Sequence, residues 1–266
     1  MYKGHRICAV LPARNEAEGI DRVVGDLVAL EVIDRIIVCD NGSTDDTARC
    51  AESAGAEVVH HETPGYGGAC LRALGEIEST DIVLFVDADN SVCIDEARVL
   101  LEAIHCGADL VIGTRIRPWR EPGSMTTPQV FGNWLAGKLI GLIWRYRITD
   151  LGPFRAIRHG ALNRLDMRDE RFGWTVEMQV KAILQGMIMV EVPVHYYRRV
   201  GRSKISGTIK GVLAAGHGII GTILKLAWHR SSRESIATAD IHHANIRLTR
   251  RNALTRDGTP DVQPRR

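Results

Sequence analysis

The first half of the chain alternates two hydrophobic periods. Short runs rich in β-branched residues, ICAVL (7–11), RIIVC (35–39), AEVVH (56–60), IVLFV (82–86) and DLVIG (109–113), have the length and composition of buried strands. Between them the apolar positions recur with a helical period. Residues 18–30 place Ile20, Val23, Val24, Leu27 and Leu30 on one helix face. In NGSTDDT (41–47), Ser43 and Thr44 read as helix caps with acids in the first turn, and Gly55 as the stop. This βαβα rhythm predicts an α/β fold built on a doubly wound, mostly parallel sheet. Right-handed crossovers bring the C-terminal ends of such strands to one rim, where open α/β sheets bind ligands.

After Pro118 the pattern changes. WREPGSMTTPQ (119–129) reads as a long loop, and VFGNWLAGKLIGLIWRYR (130–147) as a helix with few charges. ITDLGPFRAIR (148–158) has the look of a returning strand, so the second half of the sheet is expected to be mixed. GWTVEMQVKAILQG (173–186) predicts an amphipathic helix stopped by Gly186, and MIMVEVPVHYY (187–197) another strand. The basic, glycine-interrupted RRVGRSKISG (198–207) reads as a loop, and residues 209–228 as a final apolar helix. From Arg230 onward eight Arg face four acids, large apolar residues are few, and no period is sustained; residues 230–266 are expected to be a disordered basic tail.

Composition adds bounds rather than direction. At 266 residues, 45% hydrophobic and 25% charged, the chain has the profile of one sizeable globular domain. The opening apolar run is too short for a signal-peptide core. The longest uncharged stretch, 211–224, falls short of a bilayer span. Six cysteines occur singly with no CxxC, which favours buried thiols in a reducing cytosol over disulfides or zinc. The Arg-rich tail lacks stacking aromatics and is interrupted by acids, so no nucleic-acid partner is expected.

The candidate chemistry lies almost entirely after strands. Pro12, Ala13, Asn15 and Glu16 follow the first, Asp40 and Asn41 the second, PGYGGA (64–69) the third, Asp87 and Asp89 the fourth and Arg115 the fifth. Two carboxylates one residue apart, after a strand too apolar to solvate them, are loop acids or caps in the plainest reading. On a ligand rim they instead suit a hard divalent cation, which takes few protein carboxylates and completes its shell with water and substrate phosphates.

VLPARNEAEGI, VCDNGSTDDT, YGGACLRAL, VDADN, IGTR and TDLGPFRAIR…FGWTVEMQVKA…VEVPVHYYRRVGRSKISG occur here in an order that resembles the inverting family-two glycosyltransferases of the GT-A fold. The resemblance covers roughly residues 5–228 and is nearest the dolichyl-phosphate mannosyl- and glucosyltransferase branch. It implies a nucleotide-diphospho-sugar donor of GDP-mannose or UDP-glucose type, Mg2+ or Mn2+, and a polyprenyl or dolichyl phosphate acceptor. It also implies one domain over residues 1–229, with a nucleotide-sugar half (1–117) and an acceptor half (118–229). By position, Pro12, Ala13, Asn15, Glu16 and Asp40 would line the nucleotide pocket, and Gly67 and Gly68 would let backbone approach the nucleotide. Asp87, Ala88 and Asp89 would bind metal and donor, with Asp89 the principal ligand. Arg115 would face the diphosphate, and Arg202 and Lys204 would close over it. The chain departs from the family in Asn41, where many relatives carry an aspartate, and in LGPF (151–154), where SGF is commoner.

Glu177 reads either as a helix-start acid or as a general base of the kind that hydroxyl acceptors need; a phosphate acceptor, already ionised, needs none. Trp174 reads as a platform for acceptor or sugar, Arg155 as further positive charge for the acceptor, and His195 as structural. The two apolar helices either pack on each other or a dimer mate, or lie shallowly at a membrane face through residues 130–145 and 209–228. The expected location is therefore cytoplasmic, with peripheral attachment to the membrane's cytoplasmic face. Rival readings are the same transfer to a soluble or small-lipid hydroxyl with Glu177 as base, a nucleotidyltransferase, and a non-catalytic nucleotide-sugar sensor.

Overall fold

The structure, a computed structural model, describes residues 1–201 and 209–231. Arg202 and Lys204, and the tail beyond residue 231, lie outside the described residues. The five predicted strands are present as β1 (Ile7–Ala13), β2 (Arg35–Asp40), β3 (Glu57–His60), β4 (Ile82–Phe85) and β5 (Leu110–Thr114), joined by β6 (Arg155–Arg158) and β7 (Met189–Pro193). All seven form one sheet in the order β3-β2-β1-β4-β6-β5-β7. Only β6 runs against the others, wedged between β4 and β5 so that Arg155 lies opposite both Phe85 and Ile112.

The helices are α1 (Ile20–Ala29), α2 (Thr47–Ser53), α3 (Tyr66–Leu74), α4 (Ala97–His105), α5 (Thr127–Trp144), α6 (His159–Leu165), α7 (Trp174–Leu184) and α8 (Ile209–Ser231). The strand runs are continuously apolar because both sheet faces are covered. Ile7, Ala9 and Leu11 of β1 point into one core with α1, α2 and α4. Cys8 and Val10 point into the other, with α3, α5, α6, α7 and α8. Fully buried side chains such as Leu11, Ile37 and Phe85 each stabilise the fold by about 1.5–3 kcal/mol relative to exposure.

Two local expectations need correction. Ser43 and Thr44 do not cap α2, which begins at Thr47 after Asp46; they brace the loop after β1, where the Ser43 hydroxyl accepts from the Asn15 amide and the Thr44 amide donates to Asn15 Oδ1. The expected strand over 148–158 pairs only in its last four residues. The rest is a loop fastened by side chains: Thr149 N and Oγ1 donate to Glu191, and Leu151 N to Asn133 Oδ1. α5 begins at a capping box, Thr126 Oγ1 accepting from Gln129 N while Gln129 Oε1 accepts from Thr126 N. It is apolar around its whole circumference, yet only Ala136, Ile140 and Trp144 are buried. Among the described residues no helix is long and apolar enough to cross a membrane.

Candidate active site

The sheet register brings distant residues to one rim. Ala13 ends β1 beside Asp40 at the end of β2, and Asp40 pairs with His60 at the end of β3. The loop after β1 is bolted to the loop after β2. Asn15 adopts φ 52, Glu16 N donates to Thr47 Oγ1, and Ala17 N donates to Asp45 Oδ2. Asp40 is buried, accepts weakly from Ser43 N at 3.3 Å, and sits 3.4 Å from His60 Nδ1. Pro12, Ala13 and Asp40 thus share one rim of the sheet, with Asn15 and Glu16 in the loop that leaves it.

Beyond β4 the chain turns sharply, with Asn90 at φ 56. Asp89 is buried; its Oδ1 accepts from Ser91 N at 3.1 Å and from Ser91 Oγ, while its Oδ2 lies 3.5 Å from Arg199 Nη1. Asp87 is half-buried and points elsewhere, accepting from Tyr66 Oη at 3.1 Å. Burial, and then the charge of Asp89, push the Asp87 carboxyl up to about 7. Arg115 leaves β5 and grips Asp150 in a fork, Nε to Oδ2 at 2.9 Å and Nη2 to Oδ1 at 2.8 Å. Burial opposes its charge, but Asp150 more than offsets this and holds the guanidinium above its ordinary range.

Asp87 and Arg115 form the polar end of a cavity of about 240 Å3 that runs between α5, α7 and α8. Its other walls are mostly apolar: Met125, Pro128, Leu151, Pro153, Phe172 and Ile219. Both Leu151 and Pro153 belong to the LGPF departure, so that departure lies in the cavity wall.

The donor set fits a hard cation. Asp87 and Asp89 offer carboxylate oxygens at a rim, and their mutual repulsion is what a divalent ion relieves. Among the described residues no group of three His, Cys, Asp or Glu side chains converges to hold a metal unaided. Two protein carboxylates completed by substrate phosphate is the arrangement Mg2+ favours.

Several expected site residues are engaged in the fold instead. Trp174 is 1% exposed and meets Phe85 edge-on with ring centroids 6.0 Å apart; it presents no face to an acceptor. Arg155 is equally buried, its guanidinium donating to the carbonyls of Leu151, Gly152 and Thr175 and its pKa pushed down to about 10 by burial. Glu177 accepts from the amides of Arg168 and Asp169 and pairs with Lys181 at 2.7 Å. Gly67 and Gly68 are packed against the loop at 169–171. Their amides donate to Arg171 O and Glu170 O, and a Cβ on Gly67 would come within 1.8 Å of Asp169 O. These glycines let the loop before α7 pack against the start of α3.

Asn41 also acquires a physical reason. Its amide nitrogen donates to His61 O and Thr63 O, and its Oδ1 accepts from Gly65 N. An aspartate has no proton for either carbonyl, so here this position clamps the loop that leads into α3. Sequence reasoning overlooked Tyr66, Asp150 and Ser91. Arg199 it read only as part of a basic loop. Tyr66, Asp150 and Arg199 lie within quoted motifs and Ser91 directly follows one, but only the fold reveals which charged group each meets.

A mostly parallel sheet with an antiparallel insertion, a paired-carboxylate turn after β4 and a cavity beside it are the marks of a GT-A glycosyltransferase. The model of glycosyl transferase family 2 matches residues 8–165, and the chain belongs to that family. An uncharacterised glycosyltransferase of Mycobacterium tuberculosis is 36% identical over 221 residues, 80% of this chain and 95% of that protein. The undecaprenyl-phosphate mannosyltransferase of Micrococcus luteus is 30% identical over 219 residues, 77% of this chain and 90% of that one. Among solved structures, glucosyl-3-phosphoglycerate synthase of M. tuberculosis in complex with Mn2+, UDP and phosphoglyceric acid matches with a TM-score of 0.70 at 24% identity, covering 84% of this chain and 79% of that chain.

Proposed function

We propose that this glycosyltransferase moves a hexose from a nucleotide-diphospho-sugar to a polyprenyl phosphate, with inversion and with Mg2+ or Mn2+ bound at Asp87 and Asp89. The observation that carries the reading is the cavity: a mostly apolar lining that includes Met125, Pro128, Leu151, Pro153, Phe172 and Ile219 also holds the charged Arg115 and Asp87. An acceptor with a hydrocarbon chain and a phosphate head matches that polarity, and the M. luteus relative bears the name of an enzyme acting on undecaprenyl phosphate. Pro12, Ala13, Asn15, Glu16 and Asp40 would bind the nucleotide on the other side of the carboxylate pair. The cation would serve as a Lewis acid for the leaving diphosphate.

The acceptor phosphate oxygen forms its bond to the anomeric carbon as the bond to the donor's diphosphate oxygen breaks, and the electron pair leaves with the nucleoside diphosphate. No base is needed, because a phosphate monoester is ionised at neutral pH. The hydroxyl-acceptor rival assigned that base to Glu177, whose oxygens are already committed to two amides and to Lys181.

The test is direct. The full chain with Mg2+ or Mn2+ is offered UDP- and GDP-hexoses, with undecaprenyl phosphate in detergent and, separately, phosphoglyceric acid or simple alcohols. Sugar is expected in the solvent-extractable lipid phosphate fraction. Transfer to the soluble acceptors alone would sink the lipid reading.

The same reading gives the exposed apolar side chains of α5 and α8 a purpose. Leu142 is 79% and Trp228 78% exposed, and Phe131, Trp134 and Leu224 join them at the surface. A membrane face suits such helices. Trp134→Glu combined with Trp228→Glu should weaken cosedimentation with anionic phospholipid vesicles about tenfold or more, since each buried aromatic contributes about 1.5–3 kcal/mol. Turnover on a short-chain lipid phosphate in detergent should be preserved. Undiminished vesicle binding would remove these helices from the membrane contact.

A further inference from the structure

Among the described residues, the cation that meets Asp89 is Arg199. It lies on a strap that runs alongside the turn after β4, with Tyr197 N donating to Ser91 O at 2.7 Å and Val200 N to Asp89 O at 3.0 Å. From this fixed backbone the guanidinium reaches between two acids. Nη2 donates to Glu16 Oε1, and Nη1 stands 3.5 Å from Asp89 Oδ2. Its Nε is buried and has no acceptor among the described residues. Glu16 is equally fixed, its amide bound to Thr47 Oγ1 and its carbonyl accepting from Gly19 and Ile20.

We propose that Arg199 is a resident counter-cation, spanning Glu16 and Asp89, that keeps free divalent metal from binding until a donor diphosphate arrives. The inference rests on the reading of Asp87 and Asp89 as the metal pair. A hydrated divalent ion arriving alone must compete with a guanidinium already seated on Asp89. Displacing it leaves a guanidinium that the strap and Glu16 hold in place beside the incoming dication, and like charges so close repel. A diphosphate changes the balance, because it offers the guanidinium fresh anionic oxygens while completing the shell of the ion. Metal and donor then favour each other's entry, which is a coupling between two ligands and is reciprocal. Arg199 acts here as a positioning residue, through Asp89.

The test reads metal binding rather than turnover. Mn2+ is titrated into the full chain by electron paramagnetic resonance of the free ion, with and without GDP or UDP. Wild type should bind Mn2+ weakly alone, and at least about tenfold tighter with nucleotide. Arg199→Gln should tighten nucleotide-free Mn2+ binding by about tenfold and shrink the nucleotide's effect correspondingly. Arg199→Lys, which keeps the charge, should stay close to wild type. An Arg199→Gln variant that binds Mn2+ alone no tighter than wild type overturns the proposal, as does a lysine variant as tight as the glutamine one. Should circular dichroism show Arg199→Gln unfolded, Arg199→Met, which retains the aliphatic stem, carries the same expectation. If Mn2+ fails to bind even with nucleotide in the wild type, the metal reading itself falls, an outcome distinct from a failure of Arg199 alone.

Discussion

Asp89→Asn is expected to lower kcat by about a thousandfold or more while the protein melts near the wild-type temperature. The expectation follows from what each oxygen of Asp89 does. Oδ1 accepts from the amide and hydroxyl of Ser91, and an asparagine carbonyl oxygen takes over that task with little loss. Oδ2 faces outward to Arg199 and is the oxygen available to a cation. Replacing it with an amide nitrogen removes both the charge and a hard oxygen ligand. Losing one electrostatic stabiliser of a leaving group typically costs about 10²–10³ in rate, and loss of a metal ligand extends that. Nucleotide should then raise the melting temperature equally with and without Mn2+, because the metal-dependent part of the binding linkage is gone. Asp87→Asn should also be severely impaired but retain part of that metal-dependent shift, since Asp87 is oriented by Tyr66 toward the cavity. Full Asp89→Asn activity in the presence of EDTA would remove the metal from the mechanism.

What could be read from the chain beforehand follows the range of the interactions involved. The strands and α1 were legible because their signals are local: a run of β-branched residues, or Ile20, Val23, Val24 and Leu27 at helical spacing, matches its buried face without reference to anything distant. The placement of Asp40, Asp87, Asp89 and Arg115 on one rim followed from chain topology, since residues after parallel strands share an edge. The returning pattern at 148–158 announced a mixed second half of the sheet, but the neighbours of β6 were not legible: its four residues pair with β4 and β5, both far upstream, and nothing in RAIR names those partners.

The misread residues share a different cause. Gly67, Gly68, Trp174 and Arg155 carry side chains, or lack them, in ways that suit ligand binding and close packing alike. Distant contacts decide between the two: the loop at 169–171 meets the glycines at the start of α3, Phe85 meets Trp174, and the carbonyls of Leu151, Gly152 and Thr175 take the Arg155 guanidinium. Asn41 shows the same ambiguity in reverse: a polar rim residue that stood out as a departure from the family proves to hold three backbone groups of one loop.

Glu177→Gln is expected to cost about 3 kcal/mol of stability and leave the chemistry of folded enzyme nearly intact. The carboxylate is buried and performs three tasks at once, accepting from Arg168 N, accepting from Asp169 N and pairing with Lys181. Glutamine keeps one acceptor oxygen, but it turns an amide donor toward groups that also donate, and it leaves Lys181 without its counter-ion. Breaking a buried ion pair from one side typically costs about 3–5 kcal/mol; Lys181 keeps a second partner in Asp166 O, so the lower figure applies. For a domain of this size about 3 kcal/mol corresponds to a fall in Tm of roughly 6–12 °C. The damage should be local to the loop before α7, which Asp169 also braces through Arg171 N, Gly173 N and the Thr222 hydroxyl. That loop supports the first turn of α3, and Tyr66 in that turn orients Asp87. Some slowing of turnover through Asp87 is therefore expected, by a factor of a few and not by orders of magnitude. The hydroxyl-acceptor rival expects the opposite split, an almost unchanged Tm with turnover nearly abolished, because a lost general base costs about 10²–10⁴ in rate. Measuring Tm and kcat together at a temperature well below both transitions separates the two. A folded, stable and inactive Glu177→Gln enzyme would restore Glu177 as the base and take the phosphate acceptor away.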